Sequence, residues 1–94
     1  MFFRLVRFNL GSEKSDVAKS IFASLIPQIK SQSGCKDVIS FGDDASGSYG
    51  IAVVWESAEA SEATRAIIGP QLSKHLADAN ASENPFSTEL FEIL

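Results

Sequence analysis

The stretch that most constrains this chain is Tyr49–Glu56. Alternation along it puts Tyr49, Ile51, Val53 and Trp55 on one side and Gly50, Ala52 and Val54 on the other, with nothing polar before Glu56. A strand apolar on both faces belongs inside a sheet and needs cover above and below. Phe2–Leu10 has the same character: Phe2, Val6, Phe8 and Leu10 alternate with Phe3, Leu5, Arg7 and Asn9. Arg4 and Arg7 fall on opposite faces, so one of them points into an apolar layer, where an unpaired charge is costly. That arginine needs a carboxylate or carbonyl partner, and Glu89 and Glu92 are candidates. An ion pair within a dimer is the favoured account, and contact with an anionic substrate is its rival.

The remaining pattern supplies two helices and two further strands. Gly11-Ser12 ends the first strand. A helix is expected from about Glu13 to Gln32, with Val17, Ile21, Leu25 and Ile29 every fourth residue and Phe22 and Ile26 widening the stripe. Ser12 or Ser15 is its candidate N-cap, Gly34 its stop, and Pro27 a kink near its last two turns. Cys35–Phe41 reads as a strand joined through the turn residues 42–48 to Tyr49–Glu56, which makes a hairpin. Ser57 caps a second helix that pauses at Gly69-Pro70 and resumes to about Ala79. Residues 80–85 read as a polar loop, and Ser87–Leu94 as a closing strand.

The order β-α-β-β-α-β predicts one ferredoxin-like α+β domain over residues 1–94, with a four-stranded antiparallel sheet carrying both helices on one face. Two helices leave the other face bare. An apolar face of that size is an aggregation hazard, so a homodimer packed sheet to sheet is expected.

Charge and composition narrow the partners. Twelve acidic residues against eight Lys and Arg give a net charge of −4, which disfavours nucleic acid and anionic membrane surfaces. The 45% hydrophobic content excludes a disordered chain. The uncharged run Ser20–Ile29 is well short of the roughly 20 residues that span a bilayer. No targeting segment is read at the N-terminus, and a cytoplasmic protein is expected. One cysteine forms no internal disulfide, and no Cys/His spacing suits a metal. Cys35 reads as a small buried hydrophobe, and Asp43-Asp44 as a solvated turn.

Four features together resemble the antibiotic biosynthesis monooxygenase-like family of dimeric α/β barrels. These are the opening Phe-Arg-Leu-Val-Arg-Phe, the Gly34-Cys35 pair, the hairpin ending Val-Val-Trp55-Glu56-Ser57, and the helix start Ala-Glu-Ala. The resemblance covers nearly the whole chain. It implies a small-molecule cavity between sheet and helices in each subunit of a dimeric α/β barrel. It also implies a cofactor-independent monooxygenase acting on a small aromatic, anthrone- or quinol-like substrate, with no metal. Asn9 and His75 then become candidate catalytic residues, because haem-degrading relatives place a pocket asparagine and an iron ligand there. Trp55, Arg65, Tyr49 and Leu72 are candidate substrate contacts, Arg65 as an orienting group. Arg65, Ile68, Leu72 and His75 fall at helical spacing. Thr64 stands where haem-degrading relatives need a tryptophan, which sets haem degradation last. A dimer that binds a small apolar or aromatic molecule without turning it over is the alternative.

Overall fold

A computed structural model of the 94-residue chain describes residues 1–80 and 86–94. The elements are β1 (Phe2–Asn9), α1 (Ser15–Lys30), β2 (Cys35–Asp43), β3 (Ser48–Trp55), α2 (Ala58–Asp78) and β4 (Ser87–Glu92). They form one ferredoxin-like sheet of strand order β2-β3-β1-β4, antiparallel at every pairing. The two strands apolar on both faces, β1 and β3, take the two central places. The polar loop expected over residues 80–85 lies outside the described residues except for Asn80, which turns the chain after α2 with φ of 59°, a conformation asparagine tolerates.

One sheet face meets the helices. Phe8, Tyr49, Ile51, Val53 and Trp55 are buried there against Ala18, Ile21, Leu25 and Ile29 of α1 and Ile68, Leu72 and Leu76 of α2. The helical spacing of both stripes explains which sides of α1 and α2 face inward.

Three local expectations are corrected. First, α2 does not pause at Gly69-Pro70 and runs unbroken through it. A proline inside a helix costs about 3 kcal/mol, whereas burying the side chains of Ile68, Leu72 and Leu76 gives about 1.5–3 kcal/mol each. Packing on both sides of the proline outweighs the lost backbone bond. Second, neither Ser12 nor Ser15 caps α1. Lys14 occupies the cap position without a side-chain bond, and Asp44 of the β2–β3 turn accepts the Ser15 N–H at 3.1 Å. The same Asp44 oxygen accepts the Tyr49 hydroxyl at 2.9 Å, so the turn carboxylate is a structural tie. Third, α1 ends at Lys30 and Gly34 is not its C-cap, a position taken by Ser31. Gly34 instead turns the chain into β2 at φ of 88°, where a Cβ would lie 2.8 Å from that of Ala60. That approach lets the Gly34 carbonyl accept the Glu56 N–H at 2.8 Å.

Among the described residues the opposite sheet face carries no helix. Phe3, Leu5, Ala52 and Val54 are half-buried at its centre, and Ile39, Phe41 and Phe91 stand exposed around them. No helix is long and apolar enough to cross a membrane among the described residues.

Trp55 is 2% exposed and among the largest fully buried side chains. Trp55→Ala should lower stability by about 3–5 kcal/mol, seen as a fall in the urea midpoint. An unchanged midpoint would show that the ring is not part of the core.

Candidate functional site

A cavity of about 50 Å³ lies between the sheet and α2. Val6, Val53 and Trp55 form its sheet wall, and Ile68 and Leu72 its helix wall. Phe86, half-buried just before β4, also lines it, with its ring edge 4.0 Å from where a Cβ on Gly69 would stand. A polar end is built from Arg4, Ser61, Thr64, Arg65 and Thr88.

Arg4 is the arginine that faces the helices, and it is 8% exposed. Each guanidinium nitrogen has its own acceptor. Nε donates to Ser61 Oγ at 2.9 Å, Nη1 to Thr88 Oγ1 at 3.0 Å, and Nη2 to Glu62 Oε1 at 2.6 Å. The partner anticipated from β4 is therefore corrected. Glu92 makes no such pair among the described residues, and Glu89 serves the exposed Arg7 at 2.9 Å on the other sheet face. The countercharge for Arg4 comes from α2, in the same subunit. The Arg4 hydrogen bond holds the Glu62 carboxyl below the usual glutamate range, with Arg65 adding to the effect. Arg65 reaches the second oxygen of Glu62 at 3.4 Å.

Trp55 supplies the other polar feature. Its indole N–H is buried without a hydrogen-bond partner among the described residues. An unpaired buried donor costs about 1–3 kcal/mol, and this one belongs to a side chain that lines a cavity.

Three of the six anticipated contacts meet here: Trp55, Arg65 and Leu72. The other three do not. Asn9 sits at the end of β1 on the face away from the helices. Its amide donates to the Ser46 carbonyl at 3.2 Å and accepts the Gly11 N–H at 2.9 Å, which is turn chemistry. Alternation along β1 sends it to the side of Arg7. His75 is half-buried and lines a separate groove with Lys14, Val17 and Asp78, because the inward stripe of α2 runs through Leu72 and Leu76. Tyr49 is 4% exposed, packs 6.4 Å from Phe8 ring to ring, and bonds Asp44. Burial raises its phenol above the usual range, and the Asp44 hydrogen bond adds to that.

Sequence reasoning missed Ser61, Thr88 and Glu62. A signal existed for Ser61 and Thr64: both continue the apolar stripe of α2 toward its N-terminus, and hydroxyls on a buried stripe mark a polar patch beneath it. No such signal existed for Glu62 or Thr88, whose roles follow only from where Arg4 comes to lie. Among the described residues no group of three or more His, Cys, Asp or Glu could hold a metal ion.

No family model and no curated protein matches the sequence. The fold is shared with solved structures. SnoaB, a cofactor-independent oxygenase from Streptomyces nogalater, is 21% identical with a TM-score of 0.70, over 99% of this chain and 92% of that one. A monooxygenase of Streptomyces coelicolor, in complex with nanaomycin D, is 11% identical with a TM-score of 0.71, over 99% and 87%. An antibiotic biosynthesis monooxygenase is 14% identical with a TM-score of 0.73, over 100% and 99%.

The ion pair has a pH signature. Glu62 has a lowered carboxyl pKa in the folded chain, so its contribution is complete above the ordinary glutamate value of about 4.3. It disappears as pH falls through the lowered folded value. Glu62→Gln should therefore destabilise the protein at pH 7 and match the wild type at the acid end. Urea midpoints across the acid range measure this, and a gap that stays constant with pH would contradict the assignment.

Proposed function

We propose that this chain is a cofactor-independent monooxygenase that acts as a homodimer on a small, electron-rich aromatic substrate of the anthrone or quinol type. The observation that carries this reading is an apolar cavity walled in part by Trp55, whose buried indole N–H has no partner among the described residues, in a fold shared with oxygenases. An enol or phenol oxygen of the substrate accepts that N–H. The substrate, once deprotonated, gives an electron to O2, and the two radicals combine at carbon to a hydroperoxide. Loss of water leaves a carbonyl, so a CH2 group and O2 become C=O and H2O. The protein's part is to exclude water, hold the ring and favour the anion. Among the described residues Arg4 and Arg65 stand against a single carboxylate, and that balance favours the anionic form.

The cavity of about 50 Å³ is small beside the roughly 300–1,000 Å³ of ligand pockets. A ring enters by displacing Phe86 and Arg65, which are the less buried walls. A second reading has an observation of its own: among the described residues no histidine, cysteine or carboxylate lines the cavity. A site without a general base suits a dimer that only binds its aromatic ligand. Haem degradation stays last, since His75 and the cavity are apart.

The homodimer reading rests on the uncovered sheet face, where Ile39, Phe41 and Phe91 are exposed beside half-buried Phe3 and Val54. A second copy of that face covers it.

Two measurements test these readings. Sedimentation at micromolar concentration should give twice the monomer mass, and a stable monomer would remove the dimer. Oxygen uptake with anthrones and quinols, without added flavin or metal, should proceed at one O2 per substrate. Trp55→Phe, which keeps a ring but lacks the N–H, should lower kcat/KM by about tenfold or more. Binding without uptake across the panel would favour the non-catalytic dimer.

A further inference from the structure

The two arginines of the cavity are not equivalent. Arg4 is buried, and all three of its guanidinium nitrogens are committed. Arg65, one turn further along α2 than Ser61, has a side chain 54% exposed and, among the described residues, a single ion-pair contact of 3.4 Å, to Glu62. The nearer carboxylate oxygen, Oε1, already serves Arg4 at 2.6 Å. An exposed pair at 3.4 Å between residues three apart contributes little. Among the described residues, two cations sharing one anion leave one positive charge at the cavity, and the free donors belong to Arg65.

We propose that Arg65 is the anion-recognising residue of this cavity and that its ligand is an aromatic monocarboxylic acid. The inference rests on the reading of the cavity as the substrate site and names the substrate class more closely. The apolar walls at Trp55, Val53, Ile68 and Leu72 take the ring, and the guanidinium of Arg65 takes the carboxylate at the cavity's polar end. A planar guanidinium with unused donors matches a carboxylate through two parallel hydrogen bonds. One surplus positive charge suits a monoanion better than a phosphate, which carries close to two negative charges. Arg4 plays a different part: by binding Oε1 of Glu62 it restrains the carboxylate that would otherwise neutralise Arg65. The exposure of Arg65 also lets it move to a ligand without uncovering a buried charge.

Calorimetric titration with 2-naphthoate and with its neutral isostere 2-naphthamide tests the assignment. The acid should bind about tenfold more tightly than the amide, the scale of one charge-assisted hydrogen bond. Added salt should weaken the acid alone. Arg65→Met should erase the difference while leaving amide binding in place, and Arg65→Lys should restore part of it. Because Arg65 is exposed, both variants should keep the wild-type urea midpoint. Equal affinity for the two ligands, or a preference that survives Arg65→Met, would overturn the anion assignment and leave the aromatic cavity standing. Failure of both ligands to bind would overturn the cavity reading as well. A preference for the acid without any oxygen uptake would support the anion site and count against the oxygenase reading.

Discussion

Arg4 is the charge around which the site is organised. A guanidinium on the helix-facing side of a central strand is tolerated only when each donor finds an acceptor, because desolvating an unpaired cation is expensive. Ser61, Glu62 and Thr88 supply those acceptors, and in doing so they tie β1 to α2 and β4. The same bonds leave the polar end of the cavity where Arg4 lies and the apolar walls beyond it. An apolar residue at position 4 would let α2 close more fully on the sheet, and the polar end of the cavity would be lost.

The helices settle over the sheet through long apolar stripes, and these are strong enough to override local chemistry. Pro70 falls in the middle of α2 and Pro27 near the end of α1, and both helices pass through them. Capping is similarly decided from afar. Asp44, in the turn between β2 and β3, caps α1 and holds the Tyr49 hydroxyl. A polar turn thereby fixes the N-terminal end of α1 over one end of the sheet, while Gln28 and Gln71 join the two helices by reciprocal amide bonds at 2.8 and 3.0 Å. The cavity is thus framed by contacts that lie outside it.

The two sheet faces divide the work. The helix-facing side contains the cavity and every buried aromatic side chain of the core. Among the described residues the other side is broad, apolar and uncovered within one chain, and Arg7–Glu89 is the ion pair it carries. Asn9 belongs to that second side, which is why alternation alone separates it from Trp55.

The element order, the central places of β1 and β3, the Ser57 cap of α2 and the need to pair one arginine were all legible in the sequence. Each follows from a period of two or 3.6 residues, or from one residue's local chemistry. Trp55, Arg65 and Leu72, singled out as candidate contacts through the family resemblance, line one cavity. What only the tertiary structure decided is which groups from distant segments meet. Glu62, not Glu89, neutralises Arg4; Asp44, not Ser12 or Ser15, caps α1; and α2 remains one helix, with His75 directed to a separate groove. Local sequence sets which face a side chain takes. Its partner is set by how the helices come to rest on the sheet, because the burial of whole apolar stripes outweighs any single cap, proline or charge pair.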